Sequence, residues 1–227
     1  MKKIIALAAL AAISATASAS GNLFTDGSFE DVVQAAGTWS IASQATLTAD
    51  EGKKGWTVSA APNGTNPVAG LEVRNDVAGT AQDANAKGQG NFVELDGNEN
   101  DMISQTLKTV AGQAYQVTFW VADRPDVTSD FLSKSGGFGV KVSSGGNVLY
   151  SGKDKESFGT AWTEETIDFT AVGDKTKFSI WAVGTSDSLG TSFDDFQAVA
   201  VPEPASLGLF AAGLAFLGLT ARRRRQA

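Results

Sequence analysis

Between residues 20 and 200 no long stretch carries the 3.6-residue apolar period of an amphipathic helix; short β-prone runs recur instead between clusters of Gly, Asn, Asp and Ser. The runs are 23–29, 39–47, 56–60, 70–74, 91–95, 102–110, 114–122, 137–143, 147–151, 163–170, 177–183 and 193–199. Turn signals separate them: Gly145-Gly146 stands between two runs, and Asp96-Gly97-Asn98 and Gly173-Asp174 end others. About a dozen short strands with no helices between them predict an all-β sandwich. Residues 76–90, rich in Ala, Gly, Asn and Gln, and residues 129–137 read as surface loops. No repeat of 20–50 residues is visible.

The two ends of the chain differ from this body. Lys2 and Lys3 precede an apolar stretch from Ile4 to Ile13, and Ala17-Ser18-Ala19 is an A-x-A site with cleavage expected before Ser20. Residues 1–19 therefore read as a signal peptide. At the other end, residues 201–227 contain Pro202-Glu203-Pro204, an apolar segment over 205–221, and Arg222, Arg223, Arg224 and Arg225. The two prolines bias Val201 and Glu203 to extended backbone, which keeps the motif accessible to a processing enzyme. The apolar segment would be roughly 25 Å long as a helix, a little short of the roughly 30 Å hydrocarbon core. Four arginines after it place its end in the cytoplasm. A polar stripe, which a helix packed on a soluble core would show, is missing.

These tail residues resemble the PEP-CTERM sorting signal of Gram-negative bacteria. The resemblance implies recognition by an exosortase-type membrane enzyme, a transient inner-membrane anchor through the C-terminal helix, and delivery to the cell surface or extracellular matrix. It implies a destination and no activity.

Composition limits what the body, residues 20–200, does. The chain has 18 basic and 25 acidic residues. Outside the two sorting segments 12 basic residues remain against 24 acidic ones, a net charge of −12. That argues against nucleic acid as a partner. With no cysteine there is no disulfide and no thiolate nucleophile; with no histidine there is no Ser-His-Asp triad and no histidine-ligated zinc.

Strand phase singles out the tryptophans. In 114–122, Tyr115, Val117, Phe119 and Val121 share the core face, which puts Trp120 on the other face with Gln116 and Thr118. Trp181 is opposite Phe178, Ile180 and Ala182, and Trp162 is in phase with Glu164, Thr166 and Asp168. An indole on a polar sheet face is a stacking surface for the apolar C–H face of a sugar ring. The competing reading is burial of these rings in a second small core under loops. Arg124 follows the Trp120 face and would bond a sugar hydroxyl or carboxylate, or else pair with Asp123 or Asp126. Glu94 and Asp96 alternate on one strand face as a carboxylate pair, but no other catalytic signature accompanies them.

The body also carries a resemblance. Asn22-Leu23-Phe24-Thr25-Asp26-Gly27-Ser28-Phe29-Glu30, Gly55-Trp56, Asn91 to Gly97, Ile103 to Leu107, Ala111 to Trp120 and Phe193-Asp194-Asp195-Phe196 follow one another in the order seen in carbohydrate-binding-module-like jelly rolls. That order resembles the galactose-binding-like sandwiches of the DUF642 type, many of which are fused to PEP-CTERM tails. The resemblance implies a jelly-roll β-sandwich that binds polysaccharide without catalysis. It also implies a structural calcium between first and last strands, with carboxylates from Glu30 and Asp194, or Asp195 as the alternative. A structural or adhesive matrix protein with no specific glycan site is the alternative function.

Overall fold

A computed structural model describes residues 21–47, 55–62, 64, 70–75, 90–124, 134–154 and 161–202. Among these are eleven strands and one helical turn: β1 (Thr38–Ala42), α1 (Gln44–Leu47), β2 (Thr57–Ala60), β3 (Leu71–Asn75), β4 (Asn91–Glu94), β5 (Asp101–Lys108), β6 (Ala114–Asp123), β7 (Phe138–Ser144), β8 (Asn147–Asp154), β9 (Thr163–Thr170), β10 (Lys175–Ala182) and β11 (Thr191–Ala200). They form two antiparallel sheets, ordered β1-β3-β4-β11-β6-β9 and β2-β5-β10-β7-β8. The protein is a jelly-roll β-sandwich.

Eleven of the twelve β-prone runs contain a strand. Period-two alternation is the reason: Tyr115, Val117, Phe119 and Val121 of β6 are buried in the core while Gln116, Thr118 and Trp120 between them are half-buried. The Gly145-Gly146 turn joining β7 to β8 has φ of 56° and 82°, the paired left-handed geometry of a tight hairpin. The run 39–47 divides, because Ser43 Oγ accepts the Thr46 amide at 3.2 Å and caps a single helical turn after β1.

The first run, 23–29, is not a strand. Asp26 and Phe29 have φ of 49° and 59°, which breaks extended backbone. The segment docks on β11 through a few specific bonds: the Leu23 amide donates to the Ala198 carbonyl at 2.9 Å, the Phe196 amide to the Gly27 carbonyl at 2.9 Å, and Asn22 Nδ2 to the Phe196 carbonyl at 2.8 Å. Its Phe24 and Phe29 enter the core and stack on Trp56, whose Nε1 donates to the Asp26 carbonyl at 2.9 Å.

The core between the sheets is built on Phe24, Phe29, Trp56, Phe119, Phe138, Phe178, Phe193 and Phe196, ringed by Val, Ile and Leu. Each fully buried side chain of this size contributes about 1.5–3 kcal/mol. Phe193, Phe196 and Ala198 all point inward because β11 bulges against β6 between Asp194 and Gln197, with Asp195 at φ 49°. Residues 20–201 form one compact unit holding every described strand and the whole core, the property that lets a domain fold alone.

No described helix is long and apolar enough to cross a membrane. The signal peptide, residues 76–89 of the loop expected over 76–90, residues 129–133 of that expected over 129–137, Glu203, Pro204, the 205–221 segment and Arg222 to Arg225 lie outside the described residues.

Candidate functional site

The outer face of the six-stranded sheet carries a transverse row of aromatic residues. Pairing sets it: Trp39 of β1 is opposite Arg74 of β3, Arg74 is opposite Phe92 of β4, and Asp194 of β11 is opposite Trp120 of β6, which is opposite Glu164 of β9. Trp162 precedes β9, in phase with Glu164 and diagonal to Trp120, a separation of roughly 7–8 Å that large rings bridge. Trp39 is 55% exposed, Trp120 and Trp162 are partly exposed, and Phe92 is buried. Trp162 meets Phe92 edge to face, centroids 5.8 Å apart at 79°. Six strands at roughly 4.8 Å make the row about 24 Å wide.

Beside it, on the same sheet face, is a buried ionic cluster that includes Arg74 of the row. Glu72 and Glu94 face each other directly across β3 and β4. Arg74 Nη1 donates to Glu72 Oε1 at 2.8 Å and to Glu94 Oε2 at 3.1 Å. Arg124 Nη1 lies 3.3 Å from both Glu94 oxygens and 3.2 Å from the Ser188 carbonyl, and the Gly190 amide donates to Glu94 Oε1 at 2.7 Å. Burial pushes the Glu94 carboxyl up to about 8; Glu72 adds to the rise, while Arg124, the Gly190 amide and Arg74 oppose it. Burial also raises Glu72, against the pull of Arg74 and Arg124. Neither carboxylate reaches solvent: Glu94 is 0% and Glu72 4% exposed.

Three of the four residues expected to contact a glycan, Trp120, Trp162 and Arg124, thus share one face. Trp181 does not. It is on the five-stranded sheet, 6% exposed, packed with Ala61, Val183 and Met102 in a second small core. A ring covered in this way has no face open for stacking, so the expectation of a sugar platform at Trp181 gives way to burial. Arg124 pairs with Glu94, because alternation along β6 sends Asp123 inward, where Thr191 Oγ1 reaches its carboxylate, and Arg124 toward the face carrying Glu94. Asp126 lies outside the described residues.

The Glu94–Asp96 pair is divided as well. Asp96 takes the Asp187 amide at 3.0 Å and the Ser186 hydroxyl at 3.3 Å, while Glu94 is held by the two arginines. The facing carboxylates are Glu72 and Glu94. Sequence reading missed Trp39, Phe92 and this pair. Phe92 has the same signature as Trp120, an apolar residue out of phase with the core residues Val93 and Leu95. Trp39 was hidden by reading 39–47 as one strand.

Glu30 is exposed, and its Oε1 accepts the Asn91 amide at 2.9 Å. Asn91 Nδ2 donates to the carbonyls of Phe29 and Val32, each at 2.8 Å, so this oxygen-rich turn is met by amide donors. Asp194 is fully buried and its Oδ1 accepts the Asp195 amide at 2.6 Å; Asp195 Oδ2 accepts from Gln197 Nε2 at 3.1 Å. A recess of ≈ 510 Å³ opens elsewhere, lined by Tyr115, Leu149, Phe169 and Val201 among others and by none of the tryptophans.

The fold defines a class, the jelly-roll sandwiches. Among solved structures the chain is similar to the Stig cyclase Fisc from Fischerella sp. TAU, at 16% identity and TM-score 0.58, covering 82% of this chain and 100% of that one. Carbohydrate-binding modules also match: TmCBM61 solved with β-1,4-galactotriose, at 20% identity, 80% and 100% coverage and TM-score 0.42, and a family 35 module from Clostridium thermocellum, at 16% identity, 71% and 97% coverage and TM-score 0.39. Identities this low speak to fold alone. Residues 200–225 match the model of the PEP-CTERM protein-sorting motif, so the chain carries a C-terminal signal for export and membrane-linked sorting. No curated protein matches the chain.

Proposed function

We propose that the protein is a non-catalytic, exported glycan-binding sandwich, sorted through an exosortase-type enzyme to the cell surface or matrix, that holds a polysaccharide on the partly exposed tryptophans of its six-stranded sheet. The observation carrying this reading is the aromatic row: Trp39, Trp120 and Trp162 lie partly exposed on one outer sheet face, with Phe92 bracing Trp162. Stacking on indole rings suits the C–H faces of successive sugars, and the polar neighbours Thr118 and Glu164 share the face for their hydroxyls. The buried state of Glu72 and Glu94 favours binding over hydrolysis, since a glycosidase must bring both carboxyl groups to the scissile bond.

Purified Ser20–Val201 applied to a polysaccharide panel tests this reading. Binding that disappears in Trp120→Ala and Trp162→Ala while the melting temperature holds supports it. A second reading, a matrix spacer with no glycan site, is favoured by Trp181, which shows that an out-of-phase tryptophan in this fold can be purely structural. A silent panel with an intact fold would select the spacer.

A further inference from the structure

At one end of the sandwich, acceptor oxygens are gathered with nothing to meet them. Asp101, the first residue of β5, is 1% exposed, and neither of its carboxylate oxygens has a hydrogen-bond partner. The neighbouring Asn100 is 2% exposed and its Oδ1 is also without a partner. The Asn100 donors are committed elsewhere, Nδ2 to the Gly184 carbonyl at 2.8 Å and the amide to Ser186 Oγ at 3.1 Å. The charges acting on Asp101 are, in order, Asp96, Glu99 and Glu72, all acidic. A buried carboxylate is ordinarily paired or donor-satisfied, and this one is neither.

One proton would not repair the arrangement. It would turn one of the three unpartnered acceptors on Asp101 and Asn100 into a single donor, able to meet one other. A divalent cation can take several oxygen ligands at once and also relieves the repulsion from Asp96 and Glu99.

The surrounding loops are already stitched together. Asp101 donates its amide to the Leu95 carbonyl at 2.7 Å, which folds residues 95–101 back on themselves, and Asp96 bridges Asn100. Ser186 Oγ lies 3.1 Å from Glu99 Oε2, and the Asp187 amide ties Asp96 to the 184–190 loop. Among the described residues no three acidic side chains already converge as a metal group. The set is of mixed oxygens, carboxylate and amide, and calcium takes six to eight oxygens of mixed type, water included, with more tolerance of geometry than magnesium.

We propose that the junction of the 95–101 and 184–187 loops is a calcium site, held by the carboxylates of Asp101 and Asp96 and the amide oxygen of Asn100, with Glu99 toward solvent. The site stands apart from Glu30 and Asn91 and does not depend on the glycan reading.

The test is calorimetric titration of chelator-stripped Ser20–Val201 with calcium chloride, alongside thermal melts in calcium, in magnesium and in sodium chloride of matched ionic strength. One calcium per chain is expected, with dissociation constants in the roughly 10⁻⁴–10⁻³ M range of extracellular modules. The melting temperature should rise by about 3–5 °C at tenfold excess over the dissociation constant, and less in magnesium. Asp101→Asn should remove both the heat and the shift, while its calcium-free melting temperature equals or exceeds that of the parent. Glu30→Gln should retain both. No heat and no shift at 10 mM calcium (roughly ten times the weakest expected constant) would overturn the proposal. So would an equal shift in sodium chloride, or a shift that survives Asp101→Asn.

Discussion

The indole of Trp181 covers Gly139: the two residues are paired across β10 and β7, and a Cβ at Gly139 would sit 2.2 Å from Cε2 of the ring. The outer face of the five-stranded sheet is closed here by one ring over one residue without a side chain. Gly139→Ala should therefore destabilise by about 1–3 kcal/mol through overpacking. Trp181→Ala should cost about 3–5 kcal/mol and leave glycan binding unchanged. Chemical denaturation of both variants, with a binding assay on whatever remains folded, checks this.

Trp120 and Trp162 should behave in the opposite way. Neither ring belongs to the core between the sheets, although Trp162 packs edge to face on Phe92. Each alanine variant should lose about tenfold or more in glycan affinity, which is roughly 1.4 kcal/mol or above. The melting temperature should stay within a few degrees. Trp39→Ala, at the far end of the row, should weaken long chains more than short oligosaccharides; titration with a length series reads this out.

The Glu94 carboxyl sets a pH dependence. Its folded value of about 8 lies above the roughly 4.3 of an unperturbed glutamate, so over that interval the folded state keeps a proton that the unfolded chain has released. The stabilisation is complete below about pH 4 and is lost as pH rises toward 8. Burial shifts Glu72, Asp96, Asp101 and Asp26 in the same direction, so without calcium the protein should be more stable at pH 5 than at pH 8. Glu94→Gln should flatten part of this slope at small cost. Glu94→Ala should cost about 3–5 kcal/mol, because it removes the carboxyl group that Arg74 and Arg124 share and leaves the buried Gly190 amide unmet. Urea titrations across pH measure all three effects.

Asn91 should prove a structural keystone. It is 2% exposed, and both Nδ2 hydrogens serve the carbonyls of Phe29 and Val32. Asn91→Ala leaves those two acceptors unmet, at about 1–3 kcal/mol each. The loss should appear as faster amide exchange in residues 29–37 before the rest of the sandwich opens.

How far the sequence could be read follows from how local each signal is. Alternation is local, which is why β6, β9 and β10 and their inward faces were legible residue by residue. The 23–29 segment was not, because its apolar residues serve the core from irregular backbone held by bonds to β11, at the far end of the domain in sequence. Trp181 was placed on the correct sheet face, but its burial depends on Gly139 and Ala61, which no local pattern links to it. Arg124 has acidic residues beside it in sequence and takes one 30 positions away, since strand pairing outranks proximity along the chain.

β11 lies between β4, which it meets at Ser192 and Phe193, and β6, which it pairs along its length apart from the bulge, and it ends at Ala200, where the match to the sorting motif begins. The exit is clamped as well: the Val201 amide donates to the Ala114 carbonyl at 2.8 Å, and Gln113 Nε2 to the Val201 carbonyl at 2.7 Å. A pull on the C-terminus would thus enter the body along the axis of a central strand and load its ladder with β6 in shear.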